Sequence, residues 1–174
     1  MSEWASTHVV IQMAMAPEGT VPWLETDAPS ISERCRSTLV RMSRQIDISI
    51  YEAMIAMTDA MGQLEREIRV LRHQQRLAAV GIEFKTELIE IAADGVQLQR
   101  SVPYSEGTEL QVHLDLTVWG VQHLMVLRAQ VHHEDDASRL EFMDVGRDQR
   151  DTIVALVFQE QGRKRRHANS SESV

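Results

Sequence analysis

Two arginines four residues apart, Arg72 and Arg76 in the stretch RHQQR, are the residues best suited to chemistry. A guanidinium presents paired N–H donors that match phosphate oxygens, so such a pair suits an anionic ligand. The same spacing arises readily on the solvent side of any charged helix, and both readings stand at this point. The histidines His113, His123, His132 and His133 are donors of the kind zinc takes, but adjacent His132 and His133 point to opposite faces of a strand. Asp135 and Asp136 follow them in an acidic stretch, HHEDDAS, that reads as a solvated loop. Glu87 and Glu90 form a carboxylate pair on paper, yet no phosphate loop, hydrolase triad or zincin motif accompanies them. Cys35 stands alone with no local base, and no intrachain disulfide is available to it. The expectation is a non-enzyme with no cofactor and no metal.

The elements that must position these residues follow from patterning. Ser30 and Glu33 have capping-box spacing and open a helix whose apolar side is Leu39, Val40, Met42 and Ile46. Ser49 and Glu52 repeat the spacing before a longer helix. There the apolar positions run Ile50, Met54, Met57, Met61, Leu64, Ile68 and Leu71, continued by Gln75 and Ala78. Steps of four and three average 3.5 residues, which keeps one seam turned toward a partner helix. About 30 residues at 1.5 Å each make a rod about 45 Å long, more than a small domain covers. The seam predicts a homo-oligomer. Ala53, Ala56 and Ala60 broaden the apolar face and favour a four-helix bundle, hence a tetramer, over a dimer. Gly62 lowers helix propensity and allows a close helix approach.

After Ala79 the period changes. Residues 82–91, VQLQ, LQVHLDLTV, VQHLMVLRAQV and RLEFMDV read as short antiparallel strands; Leu110, Val112, Leu114 and Leu116 face inward, as do Met125, Leu127, Ala129 and Val131. Residues 148–160 read as a short helix able to cover one end of a small barrel. The organisation is therefore a partly disordered leader over 1–29, in which HVVIQMAMA has strand character. A helical oligomerisation region follows over 30–79, a barrel with its helix over 80–160, and a disordered basic tail over 161–174.

Charge narrows the partners. The chain of 174 residues carries a net −8; the tail holds Arg163, Lys164, Arg165 and Arg166 against Glu172, so residues 1–160 carry −11. A body this acidic repels nucleic acid at long range, so DNA is not an expected partner. The tail reads as a solubilising end, with contact to an anion as the other reading. No stretch has the roughly 20 apolar residues of a membrane span, the start lacks a secretory signal, and one cysteine suits a reducing cytoplasm.

Taken in order, RHQQR before the first strand of this series, EIAADG (Glu90 to Gly95), SEGTELQVHLDL and RLEFMDV with Phe142 resemble the PilZ domain family. The resemblance covers residues 70 to 160 and implies an α+β chain: a small six-stranded antiparallel PilZ-like β-barrel with a C-terminal helix and a long N-terminal coiled-coil extension. The helical extension is similar to that of an atypical branch in which heptad helices drive tetramer formation. Standard members bind cyclic di-GMP, and the resemblance assigns possible contacts to Arg72, Arg76, Glu90, Ala92 and Gly95. Here Glu90 stands at the family's aspartate, Ala92 at its serine, and Leu71 where a further arginine is common; Gly95 is retained. Each lost hydrogen bond costs about 1–3 kcal/mol, so two altered contacts imply tens- to thousandfold weaker binding. The implied function is a regulatory adaptor or scaffold acting through an unidentified protein partner. The alternative is a cyclic di-GMP receptor controlling motility, pilus function or virulence.

Overall fold

A computed structural model describes residues 6–20 and 30–171, with side chains through residue 166. The chain runs β1 (Thr7–Pro17), α1 (Ile31–Met42), α2 (Ile48–Ala79), β2 (Lys85–Ala92), β3 (Gly95–Leu98), β4 (Glu109–Val118), β5 (Val121–Glu134), β6 (Ala137–Met143) and α3 (Arg147–Ser171). It divides into two units: Met1–Pro22 with Arg76–Val174, and Trp23–Gln75.

The first unit is a closed barrel in the order β1-β2-β3-β6-β5-β4, with every neighbour antiparallel. Leu110, Val112, Leu114 and Leu116 on β4, and Met125, Leu127, Ala129 and Val131 on β5, enter the core as their alternation predicts, together with Phe142. Three two-residue hairpins join β2 to β3, β4 to β5 and β5 to β6. Trp119 and Gly120, with φ of 51° and 78°, form the β4–β5 turn. Two positive φ values match the right-handed twist of the strands, and the first position normally takes Asn, Asp or Gly. A bulky side chain held there is strained by about 1–2 kcal/mol.

Three expectations are corrected. Residues 7–17 are not leader: β1 closes the barrel, pairing Thr7 to Met13 with β2 and Gln12 to Pro17 with β4. Its partners lie far along the chain, as in Thr7 with Ile91, so no local pattern reveals the pairing. HHEDDAS is not a loop; β5 continues to Glu134, and only Asp135 and Asp136 turn the chain into β6. Asp135 has φ of 50°, a conformation Asp tolerates.

Residues 161–171 are not a disordered tail, because α3 extends to Ser171. Ile153, Leu156 and Val157 plug the barrel core. Beyond them, Gln161 donates to the Ser6 carbonyl at 3.2 Å and Lys164 to Thr7 Oγ1 at 3.2 Å, tying the helix to the start of β1. The expectations for residues 1–5, 21–29 and 172–174 lie outside the described residues.

The second unit is an antiparallel helical hairpin. Ser30 caps α1 in the expected box with Glu33. The second cap differs: Asp47, not Ser49, opens α2, its carboxylate accepting from Ser49 N–H at 2.9 Å. Glu65 on α2 accepts from Ile31 N–H at 3.0 Å and Ser32 Oγ at 2.5 Å, clamping the α1 N-terminus. These bonds, the Ser32 hydroxyl first, hold the Glu65 carboxyl below its ordinary range. Arg36 and Asp59 pair at 2.7 Å further along. Gly62 lies beneath Ser32, where an added Cβ would come within 3.2 Å of the hydroxyl, so the glycine does admit a close approach.

Candidate functional site

The α2 seam occupies a stripe beside the one α1 uses. Thr58, Gly62 and Glu65, at four- and three-residue steps, face α1, and Thr58 and Gly62 are buried. One residue earlier in each turn, Met54, Met57, Met61, Leu64, Ile68 and Leu71, with Ile50 ahead of them, leave 39 to 70% of their surface exposed. Gln75 and Ala78 are exposed as well. Burying such side chains is worth about 1.5–3 kcal/mol each when complete. A single chain therefore leaves a large apolar stabilisation unused.

Because α1 lies beside the seam, the two helices enclose an open cleft of about 590 Å³. Ile31, Leu39 and Met42 line it from α1, and Met54, Met57 and Met61 from α2. Methionines adapt to irregular neighbours, and an apolar face spread over two helices exceeds the narrow strip of a two-stranded coil. The contribution of α1 to this face was not visible in the heptad pattern.

The positions expected to touch nucleotide separate into two groups. Arg72 and Arg76 are exposed, one turn apart, within continuous α2 helix. Glu90, Ala92 and Gly95 share the outer face of β2 and β3, since Ile89, Ile91 and Val96 between them point into the core. Glu90 is already engaged: it accepts from the Ser6 hydroxyl and lies 3.8 Å from His8 Nε2. Ala92 supplies no hydrogen-bonding group and pairs with Gly95. Gly95 does not have positive φ. A Cβ there would lie 2.5 Å from the Leu140 carbonyl oxygen, so close packing of β3 on β6 alone requires the glycine.

The same face carries polar residues the motif reading missed. Asp94 pairs with Arg139 at 3.0 Å, and its carbonyl accepts from Phe142 N–H at 2.8 Å, fastening the β2–β3 turn to β6. Cross-strand register then aligns His8, Glu90, Gln97, Arg139 and His132 in one row over five strands. His132 stands between Glu106 at 2.9 Å and Glu141 at 3.4 Å. Glu106 also accepts from His133 N–H at 2.6 Å, and this bond, followed by the one to His132, holds its carboxyl below the ordinary range. Only the row's spacing across strands marks it, and that register is invisible before the barrel closes. Glu87 faces away from Glu90 and pairs with Arg100 at 2.6 Å, so the two carboxylates do not converge as an acid and base.

No protein-family model matches the chain. No curated protein matches it either. Among solved structures it is similar to a pathogenic protein of Xanthomonas campestris described as a tetrameric PilZ domain self-assembled through a helical bundle. Identity is 15%, the TM-score 0.56, and the match covers 94% of this chain and 91% of the other. It is also similar to the Bacillus subtilis inhibitor of motility MotI/DgrA, at 11% identity and TM-score 0.50 over 95% of this chain. There the chain spans only 53% of the other's length. The architecture is that of a PilZ-type barrel with a long helical extension, as expected.

Proposed function

We propose that this PilZ-fold chain is a non-catalytic regulatory adaptor that assembles through its α1–α2 hairpins and displays several barrels to a protein partner. The exposed seam from Ile50 to Leu71 carries the proposal. Its apolar face continues onto α1 through the shared cleft, which favours a four-chain bundle over a pair. The tetrameric Xanthomonas structure, built through a helical bundle, supports the same number. Repeated barrels would raise avidity for a partner that is itself multimeric. A reducing cytoplasm suits the lone Cys35, and no helix among the described residues is long and apolar enough to cross a membrane.

Weak or absent binding of cyclic di-GMP belongs to the same proposal. Glu90 is occupied by Ser6 and His8, Ala92 has no polar group, and Gly95 is explained by packing. The second reading, a cyclic di-GMP receptor controlling motility, pilus function or virulence, keeps one favouring observation: Arg72 and Arg76 stand exposed on adjacent turns.

Light scattering and calorimetry on the same full-length sample separate the readings. The expected mass is about 79 kDa, four chains of 19.8 kDa, with no saturable heat from cyclic di-GMP up to several hundred micromolar. A monomer at micromolar concentration overturns the assembly. Micromolar or tighter binding, lost in R72A/R76A, establishes the receptor.

A further inference from the structure

The basic run Arg163 to Arg166 and the most exposed aromatic side chains among the described residues of the barrel unit have no part in the proposed assembly. Trp119 is 68% exposed and Phe158 61%. They lie near each other on the barrel unit, because the Trp119 backbone N–H donates to Gln159 Oε1, the residue after Phe158, at 2.5 Å. The Gln159 amide also donates to the Thr117 carbonyl at 3.4 Å. The hairpin tip is thus tied to α3 through the end of β4 and the first turn residue.

Along α3, the helical period puts Gly162 and Arg165 on the same side as Phe158, about one and two turns further on. An added Cβ at Gly162 would meet nothing within 4 Å, so this side of the helix is open. Arg165 is exposed. Over residues 158–166 four cations stand against one anion, Glu160, which pairs with Arg163 at 3.0 Å. This local excess of +3 lies on a chain whose total is −8. The helix carrying it is held in place by Lys164 on Thr7 and Gln161 on Ser6.

From this juxtaposition we infer that the Trp119 tip and the Phe158–Arg165 side of α3 form a docking surface for an anionic lipid bilayer. Tryptophan and phenylalanine settle at the headgroup boundary, where their rings leave water. Arginine and lysine beside them add attraction to anionic headgroups, each strengthening binding about fivefold. The left-handed backbone at Trp119 supports the assignment, since a large aromatic is kept, exposed, where a small turn residue would be unstrained. The acidic remainder of the chain holds the rest of the barrel off the surface, so contact is confined to this end. Nucleic acid is disfavoured because the cations occupy a short stretch and the exposed rings stand at a tip, not along a groove.

The surface is independent of the number of chains in the assembly. It is tested by co-sedimentation of full-length protein with phosphatidylcholine vesicles containing about 30% phosphatidylglycerol, against pure phosphatidylcholine, with oligomeric mass and circular dichroism followed in parallel. The expected result is binding to the anionic vesicles alone, abolished at about 0.5 M salt. W119N keeps the turn, because Asn adopts left-handed backbone, and should weaken binding about tenfold or more. F158Q should do the same. R165E removes one cation and adds an anion, and should weaken binding roughly 25-fold. Absence of binding by the folded protein, equal binding to both vesicles, or unchanged binding by all three variants each overturns the inference. So does retention on single-stranded RNA with no vesicle binding.

Discussion

Gly95 is the one residue retained from the nucleotide motif at the β2–β3 turn, and replacing it distinguishes a ligand role from a packing role. In Gly95→Ala the new Cβ lies 2.5 Å from the Leu140 carbonyl oxygen and 3.3 Å from Glu141 Cα. The obstacle is backbone, so no rotamer change relieves it. Leu140 is fully buried, and β3 meets β6 over only four paired positions, Gly95 to Leu98 with Glu141 to Ser138. The strands must part by several tenths of an ångström at the Phe142 to Asp94 hydrogen bond next to the clash. Overpacking of this kind costs about 1–3 kcal/mol and more where backbone must shift. The narrower unfolded ensemble of alanine returns about 0.4–1 kcal/mol. The net expectation is a loss of roughly 1–3 kcal/mol, which for a chain of this size lowers Tm by roughly 2–10 °C. Thermal unfolding by circular dichroism, without nucleotide and at matched chain concentration, reads it directly, since melting of an oligomer depends on concentration. Gly162→Ala is the control: its Cβ meets open space in a helix, so it should hold or raise Tm. A Gly95→Ala protein as stable as the parent would refute the packing argument and return the glycine to a ligand role.

Several further outcomes are expected. L64E/I68E places charge on two exposed seam residues and should give monomers in light scattering with the barrel's strand signal retained; an unchanged mass contradicts the seam. The Glu65 carboxyl is held below its ordinary value of 4.5 by the Ser32 hydroxyl. Its contribution is therefore present above the unfolded pKa and lost as pH falls through the folded one. Helical signal should weaken in that acid range, and Glu65→Gln should weaken the hairpin at neutral pH and flatten the dependence. Glu106, lowered by bonds from His133 N–H and His132, should behave likewise for the loop before β4, read by amide exchange at residues 104–108. Gln111 is fully buried and its side-chain amide has no hydrogen-bond partner among the described residues. Gln111→Met should raise stability by about 1–3 kcal/mol in a denaturant melt, and a loss of stability would show the amide to be satisfied in solution.

What can be read in advance depends on the distance over which each feature is encoded. The Ser30–Glu33 box, the alternation of Leu110 to Leu116 and the heptad from Ile50 to Leu71 are local patterns, each written within a few residues of the contact or face it specifies. They identify the hairpin helices, five barrel strands and the apolar seam without any knowledge of how they meet. The start of β1 resisted such reading because its partners lie across the chain in β2 and β4, and only closure of the sheet makes HVVIQMAMA a core strand. The tail follows a related rule: its composition is that of a solvated end, but Gln161 and Lys164 reach Ser6 and Thr7, and those anchors extend the helix.

The site divides in the same way. Residue type alone showed that Ala92 lacks a hydroxyl and that Arg72 and Arg76 form a helical pair. Which carboxylates are occupied, why Gly95 must be glycine, and which aromatic rings stand beside the basic run were decided by strand register and helix docking. Those contacts join residues that no local periodicity relates. The sequence by itself determined the elements and their apolar faces, because each is set by side chains a turn or a pleat apart. The tertiary structure decided which polar groups remain available, because that depends on neighbours brought in from elsewhere in the chain.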